Sequence, residues 1–242
     1  MKKQLAFIAL VLTTALAQAQ WWGGKKIEGN GNEVTRERQV GSFNEIDVAG
    51  SFDVYLVAGS EGTVSVEAEE NLQEYIITEV KGDKLKIHTK DGYSLRTSRN
   101  KGIVITVPFR DIEKVSLAGS GDIMTKDPIN AQNFRCALAG SGDMVLEVNA
   151  QDVRASLAGS GDLVVKGSTQ QVELEVAGSG DLDASDLKSK DATARVSGSG
   201  DINLNCDGGT LKANVAGSGD IRYTGKPEKV NSNVVGSGSV SN

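Results

Sequence analysis

The sequence predicts an all-β protein, a single-stranded parallel β-helix or β-solenoid with coils of about 19–21 residues. Three observations carry that prediction. The tetrapeptide Gly-Ser-Gly-Asp begins at Gly119, Gly140, Gly159, Gly178, Gly198 and Gly217, and a last copy at Gly236 ends in Ser239 instead of the acid. The intervals are 21, 19, 19, 20, 19 and 19 residues, and repetition this regular means that each copy is one structural unit stacked on its neighbours. Apolar residues alternate with polar ones on both sides of every copy, which is the strand period. Two such strands per repeat leave no room for a helix.

In chain order, residues 1–19 read as a signal peptide. Lys2 and Lys3 precede an apolar run from Leu5 to Leu16, and Ala17-Gln18-Ala19 supplies the small residues of a cleavage site. The run is too short to span a bilayer, and no later stretch approaches the roughly 20 apolar residues a spanning helix needs. Residues 20–40 hold Trp21, Trp22 and Gly29-Asn30-Gly31-Asn32 with no apolar period, so a flexible leader is expected. From 41 to 115 an N-terminal β region is expected. Phe43, Ile46 and Val48, then Phe52, Val54 and Leu56, alternate, and turns fall at 59–62, 81–83 and 90–92. Only Glu69 to Tyr75 could form a short helix. Gly50-Ser51-Phe52-Asp53 looks like a degenerate copy of the later tetrapeptide, with Phe in place of the second Gly.

Residues 116–242 form the repeat solenoid, continuous with the preceding region, and can be read as columns. Two positions before the first Gly of each copy stand Leu117, Leu138, Leu157, Val176, Val196, Val215 and Val234. Four positions after it stand Ile123, Met144, Leu163, Leu182, Ile202, Ile221 and Val240. Stacking equivalent strands in parallel turns each column into a core ladder. The corner glycines Gly119, Gly140, Gly159, Gly178, Gly198, Gly217 and Gly236 are then structural turns. The 18-residue left-handed type is built from strict hexapeptides, which are absent here, so the right-handed form is favoured.

These residues carry a resemblance. The repeated Ala-Gly-Ser-Gly-Asp-Ile/Leu, preceded by Phe43-Asn44-Glu45-Ile46-Asp47-Val48-Ala49-Gly50-Ser51-Phe52-Asp53-Val54, is similar to the head GIN domain family of auto-transporter adhesins, common in Bacteroidetes. The resemblance covers roughly Val40 to the C-terminus. It implies a right-handed parallel β-helix of pectin-lyase-like architecture, exported and without the lyases' catalytic residues, with adhesion as the suspected role. It transfers no site residues.

Charge and cysteines narrow the rest. The formal net charge is −6; without Lys2 and Lys3 the basic count falls from 26 to 24 against 32 acids, near −8. Such a chain, without basic clusters, is a poor partner for nucleic acid or an anionic membrane. Cys136 and Cys206 sit at different phases and more than three repeats apart. At one strand spacing per repeat the gap is roughly 15 Å, beyond the ~7 Å limit for a disulfide, so both are expected to be free.

The acid column Asp122, Asp143, Asp162, Asp181, Asp201 and Asp220 admits two readings. In one, Gly supplies a positive φ and the Ser and Asp side chains bond backbone amides at a corner. In the other, the stacked carboxylates hold a cation, calcium being the candidate. Neighbouring acids ~5 Å apart repel by roughly 1 kcal/mol in water and ~3 at an effective dielectric of 20, so the column must face solvent, find donors or bind cations. His88 is the only histidine and alternates outward on a strand. Equivalent repeated acids lack the differentiation that paired-carboxylate catalysis needs. The sequence therefore predicts no enzyme, no resident cofactor and an exported protein of periplasm or cell surface. An adhesin or envelope binding module for a protein or glycan leads. Two alternatives stand beside it: an assembly protein stacking through the last coil from Val234 to Val240, whose parallel edge invites pairing, and a polysaccharide-active enzyme.

Overall fold

The computed structural model describes residues 24–99 and 101–242. The signal-peptide segment 1–19, Trp21 and Trp22 lie outside the described residues. Nine strands precede the repeats: β1 (Lys25–Glu28), β2 (Glu33–Gln39), β3 (Glu45–Gly50), β4 (Asp53–Ala58), β5 (Thr63–Glu69), β6 (Ile76–Lys81), β7 (Lys84–Thr89), β8 (Tyr93–Arg96) and β9 (Val104–Phe109). The repeats hold β10 (Lys114–Gly119), β11 (Asp122–Thr125), β12 (Ile129–Gly140), β13 (Met144–Gly159), β14 (Leu163–Gly178), β15 (Leu182–Ala184) and β16 (Leu187–Gly198). They close with β17 (Ile202–Asn205), β18 (Thr210–Gly217), β19 (Ile221–Thr224), β20 (Lys229–Gly236) and β21 (Val240–Ser241).

The fold is a parallel β-solenoid, and its register is that of the sequence columns. Leu117 pairs with Leu138, Leu138 with Leu157, Leu157 with Val176, and so on through Val196 and Val215 to Val234. On the other side of the corner, Ile123, Met144, Leu163, Leu182, Ile202, Ile221 and Val240 align in the same way. From Leu117 to Val215 and from Ile123 to Ile221 these residues are buried, so every coil adds one apolar layer to a continuous core. Cys136 and Cys206 are both free and buried. Cys136 lies in one inward column with Ala155 and Leu174.

The N-terminal region is built around the degenerate corner. Gly50 pairs directly with Gly119, across 68 intervening residues, and Asp53 pairs with Asp122. On the opposite side β3 pairs in parallel with β7, and β4 with β9. The coil made first in sequence is thus the second in space, held between β7–β9 and β10–β11. Beyond β7 and β9 the direction reverses. β6 runs antiparallel to β7, β5 antiparallel to β9, and β2 antiparallel to β5. These strands cover the N-terminal end of the parallel stack.

Two expectations are corrected here. The segment foreseen as a flexible leader is largely strand: β1 pairs with β8 and β2 with β5 over seven residues. Its alternation is polar, Glu33-Val34-Thr35-Arg36-Glu37-Arg38-Gln39, because one face is solvated and the other is only half buried at Val34 and Arg38. What holds it is hydrogen bonding. Buried Gln73 donates to the Val34 and Val66 carbonyls at 3.0 and 2.9 Å and accepts from Arg38 at 2.8 Å. The short helix foreseen at 69–75 is one 3-10 turn, Gln73–Tyr75, because Glu69 still belongs to β5.

Candidate functional site

The repeated corner is consumed by its own backbone. All seven corner glycines, and Gly50 below them, have φ between 129° and 142°, a region open to Gly and strained for L side chains. The second Gly of each copy is needed for a different reason. A Cβ on Gly161 would lie 1.9 Å from the Gly142 carbonyl oxygen, and Gly142, Gly180, Gly200 and Gly219 meet the coil below equally closely. Phe52 stands at the foot of this column, buried, and the β7–β9 coil beyond it carries no copy of the tetrapeptide; that is the place where a large side chain fits.

Each corner carbonyl takes two amides from the next coil: Gly140 O accepts from Ser160 N at 2.9 Å and Gly161 N at 3.2 Å. The aspartate amide goes to the carboxylate below. Asp143 N donates to Asp122 Oδ1 at 3.0 Å and Asp162 N to Asp143 Oδ1 at 3.0 Å. The ladder continues through Asp181, Asp201 and Asp220 to Ser239 N at 2.8 Å. The corner serines thus contribute their amides, which point along the stack, while their side chains are exposed. The role foreseen for their hydroxyls in bonding backbone falls to the aspartates.

The two ends of the acid column differ. Asp122 N bonds the Phe52 carbonyl at 3.0 Å, so Asp53 lacks the amide donor that later acids have. Burial, and then the charge of Asp122, push its carboxyl above the ordinary value. Asp220 accepts from both Ser239 Oγ and Ser239 N and faces Arg222 at 2.9 Å; these hydrogen bonds hold it below the ordinary value. Among the described residues no group of three or more His, Cys, Asp or Glu side chains is arranged to hold a metal ion. His88 is on the outer side of β7, with Nδ1 2.9 Å from the Thr89 carbonyl oxygen and Nε2 3.6 Å from Glu79. Burial pushes the Cys136 thiol up to about 12 and raises that of Cys206 as well. Neither is a ready nucleophile.

A concave feature of the surface lies elsewhere, on the outer face of β12, β13, β14, β16 and β18. There a cleft of about 550 Å³ is lined by Asn133, Arg135, Asp152, Arg154, Gln171 and Asp191 among others. A second depression of about 370 Å³ adjoins it and shares Arg135, Arg154 and Glu173. Just before the cleft positions in sequence, buried Thr169 donates to the Gln151 carbonyl at 2.9 Å and buried Ser189 to that of Asn205 at 2.5 Å. Its lining was not singled out from the sequence. The signal was present, since positions five and seven before the first Gly are columns too: Lys114, Arg135, Arg154 and Glu173; Asn133, Asp152, Gln171 and Asp191. Reading only the apolar columns passes over them.

These features define a class: a parallel β-solenoid whose repeated Gly-Ser-Gly-Asp motif is a structural ladder and whose variable chemistry is on its outer face. The chain belongs to the family described as "Putative auto-transporter adhesin, head GIN domain", which matches residues 42–227. No curated protein matches it. Among solved structures it is similar to one from Parabacteroides distasonis described as a putative lipid binding protein, at 30% identity and a TM-score of 0.74, covering 90% of this chain and 99% of that one. A putative adhesin from Bacteroides fragilis has 24% identity and a TM-score of 0.80, covering 89% and 99%. Another from Parabacteroides merdae has 19% identity and a TM-score of 0.72, covering 90% and 98%.

Proposed function

We propose that this protein is an exported, non-enzymatic binding module of the cell envelope, an adhesin whose rigid solenoid presents one differentiated face to a glycan or protein partner. The observation that carries this reading is the division of labour within each coil. The motif repeated in every coil spends its amides and one carboxylate oxygen per aspartate on the neighbouring coil, whereas the side chains that differ from coil to coil line a continuous cleft. Repeated, equivalent carboxylates do not give the differentiated acid and base that hydrolysis needs. The membership of an adhesin-described family supports the reading, and an apolar start to the chain fits export. No helix among the described residues is long and apolar enough to cross a membrane.

The test is a binding screen of residues 20–242 on immobilised glycans, purified envelope proteins and lipid vesicles, the last because one relative is described as lipid binding. Saturable binding with the ligand recovered intact is the expected result. Depolymerisation of any bound glycan would move the protein to the enzyme class. A second reading has its own observation. In β20, Val230, Val234 and Val235 are 40%, 39% and 65% exposed, although Val230 and Val234 continue inward columns. Association of copies through this coil would cover them, and light scattering showing one molar mass at every concentration would remove that reading.

A further inference from the structure

The geometry points to an acidic polysaccharide as the ligand of the outer cleft. We propose that its carboxylate or sulfate groups seat on a stack of Lys114, Arg135 and Arg154, while its hydroxyls bond the neighbouring column of Asn133, Asp152, Gln171 and Asp191. This deepens the binding-module reading and rests on it.

The cation stack comes from register. Lys114 pairs with Arg135 and Arg135 with Arg154, so three positive side chains stand at one position of three successive coils, roughly 4.8 Å apart. In a chain of net charge −6 such a stack repels itself unless anions compensate it. The outer two reach carboxylates, Lys114 to Glu45 at 3.8 Å and Arg154 to Glu173 at 3.4 Å. Arg135, between them and exposed, forms no ion pair among the described residues. The nearby Glu173 and Glu175 are already engaged by Arg195, at 2.5 and 2.9 Å. The guanidinium of Arg135 therefore offers planar paired donors to an incoming carboxylate or sulfate.

The second column selects the rest of the ligand. Asn133, Asp152, Gln171 and Asp191 align coil by coil and alternate amide with carboxylate, a donor–acceptor set suited to hydroxyl groups. The acids beside the cation stack would repel a bare polyanion, but Asp152 and the second oxygen of Asp191, whose Oδ1 takes the Thr210 amide at 2.8 Å, accept hydrogen bonds from sugar hydroxyls. A peptide finds no backbone partner here, because β13, β14 and β16 are paired on both sides and no strand edge is open. A lipid surface finds no apolar patch, since the exposed large hydrophobics Met124, Val230, Val234 and Val235 lie outside the cleft. The cleft's aromatic residue, Phe134, is buried, so a neutral sugar has no ring to stack on. A linear chain with an anion on successive sugars, laid across these coils, meets one cation per coil from Lys114 through Arg135 to Arg154, and the column then changes to Glu173.

The experiment titrates the protein with fluorescent oligogalacturonate, with heparin oligosaccharide and with carboxyl-reduced oligogalacturonate as the neutral control. An acidic oligosaccharide should bind, more weakly as salt rises, and the reduced one at least tenfold more weakly. Arg135→Glu should lower the acidic affinity at least tenfold at unchanged melting temperature, because the side chain is exposed. Asn133→Ala, which removes a neutral, exposed hydroxyl partner, should lower it less and leave the salt dependence intact. Wild-type affinity in Arg135→Glu, binding of neither acidic probe, or capture by anionic vesicles in place of the saccharides would each overturn the proposal. Binding of a neutral glycan or a protein in the wider screen, with both acidic probes silent, would sink this ligand assignment and leave the binding-module reading standing.

Discussion

At the scale of single residues, the corner makes separable demands. Gly159 is needed for its φ of 141° and Gly161 for the 1.9 Å a Cβ would leave to Gly142 O, whereas Ser160 gives only its amide. Gly159→Ala should therefore cost roughly 1–3 kcal/mol in strain. Gly161→Ala should cost at least as much, since two backbones must separate. Ser160→Ala should stay within about 0.5 kcal/mol, all three read by urea unfolding. The aspartates are tested by isosteres. Asp162→Asn keeps an oxygen for the Asp181 amide and removes a charge from the column, so it should be near neutral. Asp162→Ala hands that exposed amide to water and should cost about 0.5–1.5 kcal/mol. If capping is the column's role, millimolar calcium or chelator should leave the melting temperature of wild type unchanged; a calcium-dependent rise abolished in Asp162→Asn would establish the cation reading instead.

The cap, at the scale of elements, turns on one buried acid. Glu69 ends β5 fully buried and accepts from Ser98 Oγ at 2.5 Å, Ser98 N at 2.8 Å and Gly31 N, tying the loop between β1 and β2 to the solenoid. Burial raises its carboxyl pKa, but the Ser98 and Gly31 hydrogen bonds and the charge of Lys101 outweigh it and leave the value lowered from 4.5. The sign follows: a depressed acid contributes stability that is present above its unfolded value and lost as pH falls from about 4.5 through the folded one. Glu69→Gln, which replaces one acceptor oxygen by a donor facing the Ser98 amide, should lower stability by about 1.5–3 kcal/mol at neutral pH. The gap to wild type should narrow in urea titrations as pH falls below about 4.5. Asp53, with its raised value, works in the opposite direction. This cap was the part of the fold least visible in the sequence. Coils that repeat announce their own register, so the column from Leu117 to Val234 aligns on spacing alone. β2 carries no apolar stripe, and its partner β5 lies 24 or more residues away in sequence. Nothing local distinguishes a polar edge strand held by Gln73 and Arg38 from a solvated leader. The same blindness hid Arg135 and Asp152, because a polar column facing solvent looks like surface until register places it beside a cleft.

The whole molecule behaves as a one-dimensional stack in which each coil is stabilised by the two beside it. Its ends are unequal. One is covered by β2, β5 and β6, which surround a fully buried cluster of Val64, Val66, Ala68, Leu72 and Ile76. At the other, every residue of β20 is exposed, so the last coil contributes one interface and buries little apolar surface of its own. Opening should therefore begin at β20 and β21 and travel toward the cap, with a free energy that rises coil by coil. The two thiols are placed to report it. Both are buried and free. Cys206 follows β17, within the second coil from the exposed one, while Cys136 lies in β12, several coils deeper. With the thiol values raised by burial, neither should react while its coil is closed. In Cys136→Ala and Cys206→Ala variants, the remaining thiol should be alkylated at different rates under native conditions. Cys206 should be modified through partial opening, with a weak dependence on urea, and Cys136 only through an opening whose urea dependence approaches that of global unfolding. Equal rates and equal urea dependence for the two thiols would mean that the solenoid opens as a single cooperative unit. The repeats would then be coupled more strongly than their nearest-neighbour contacts imply.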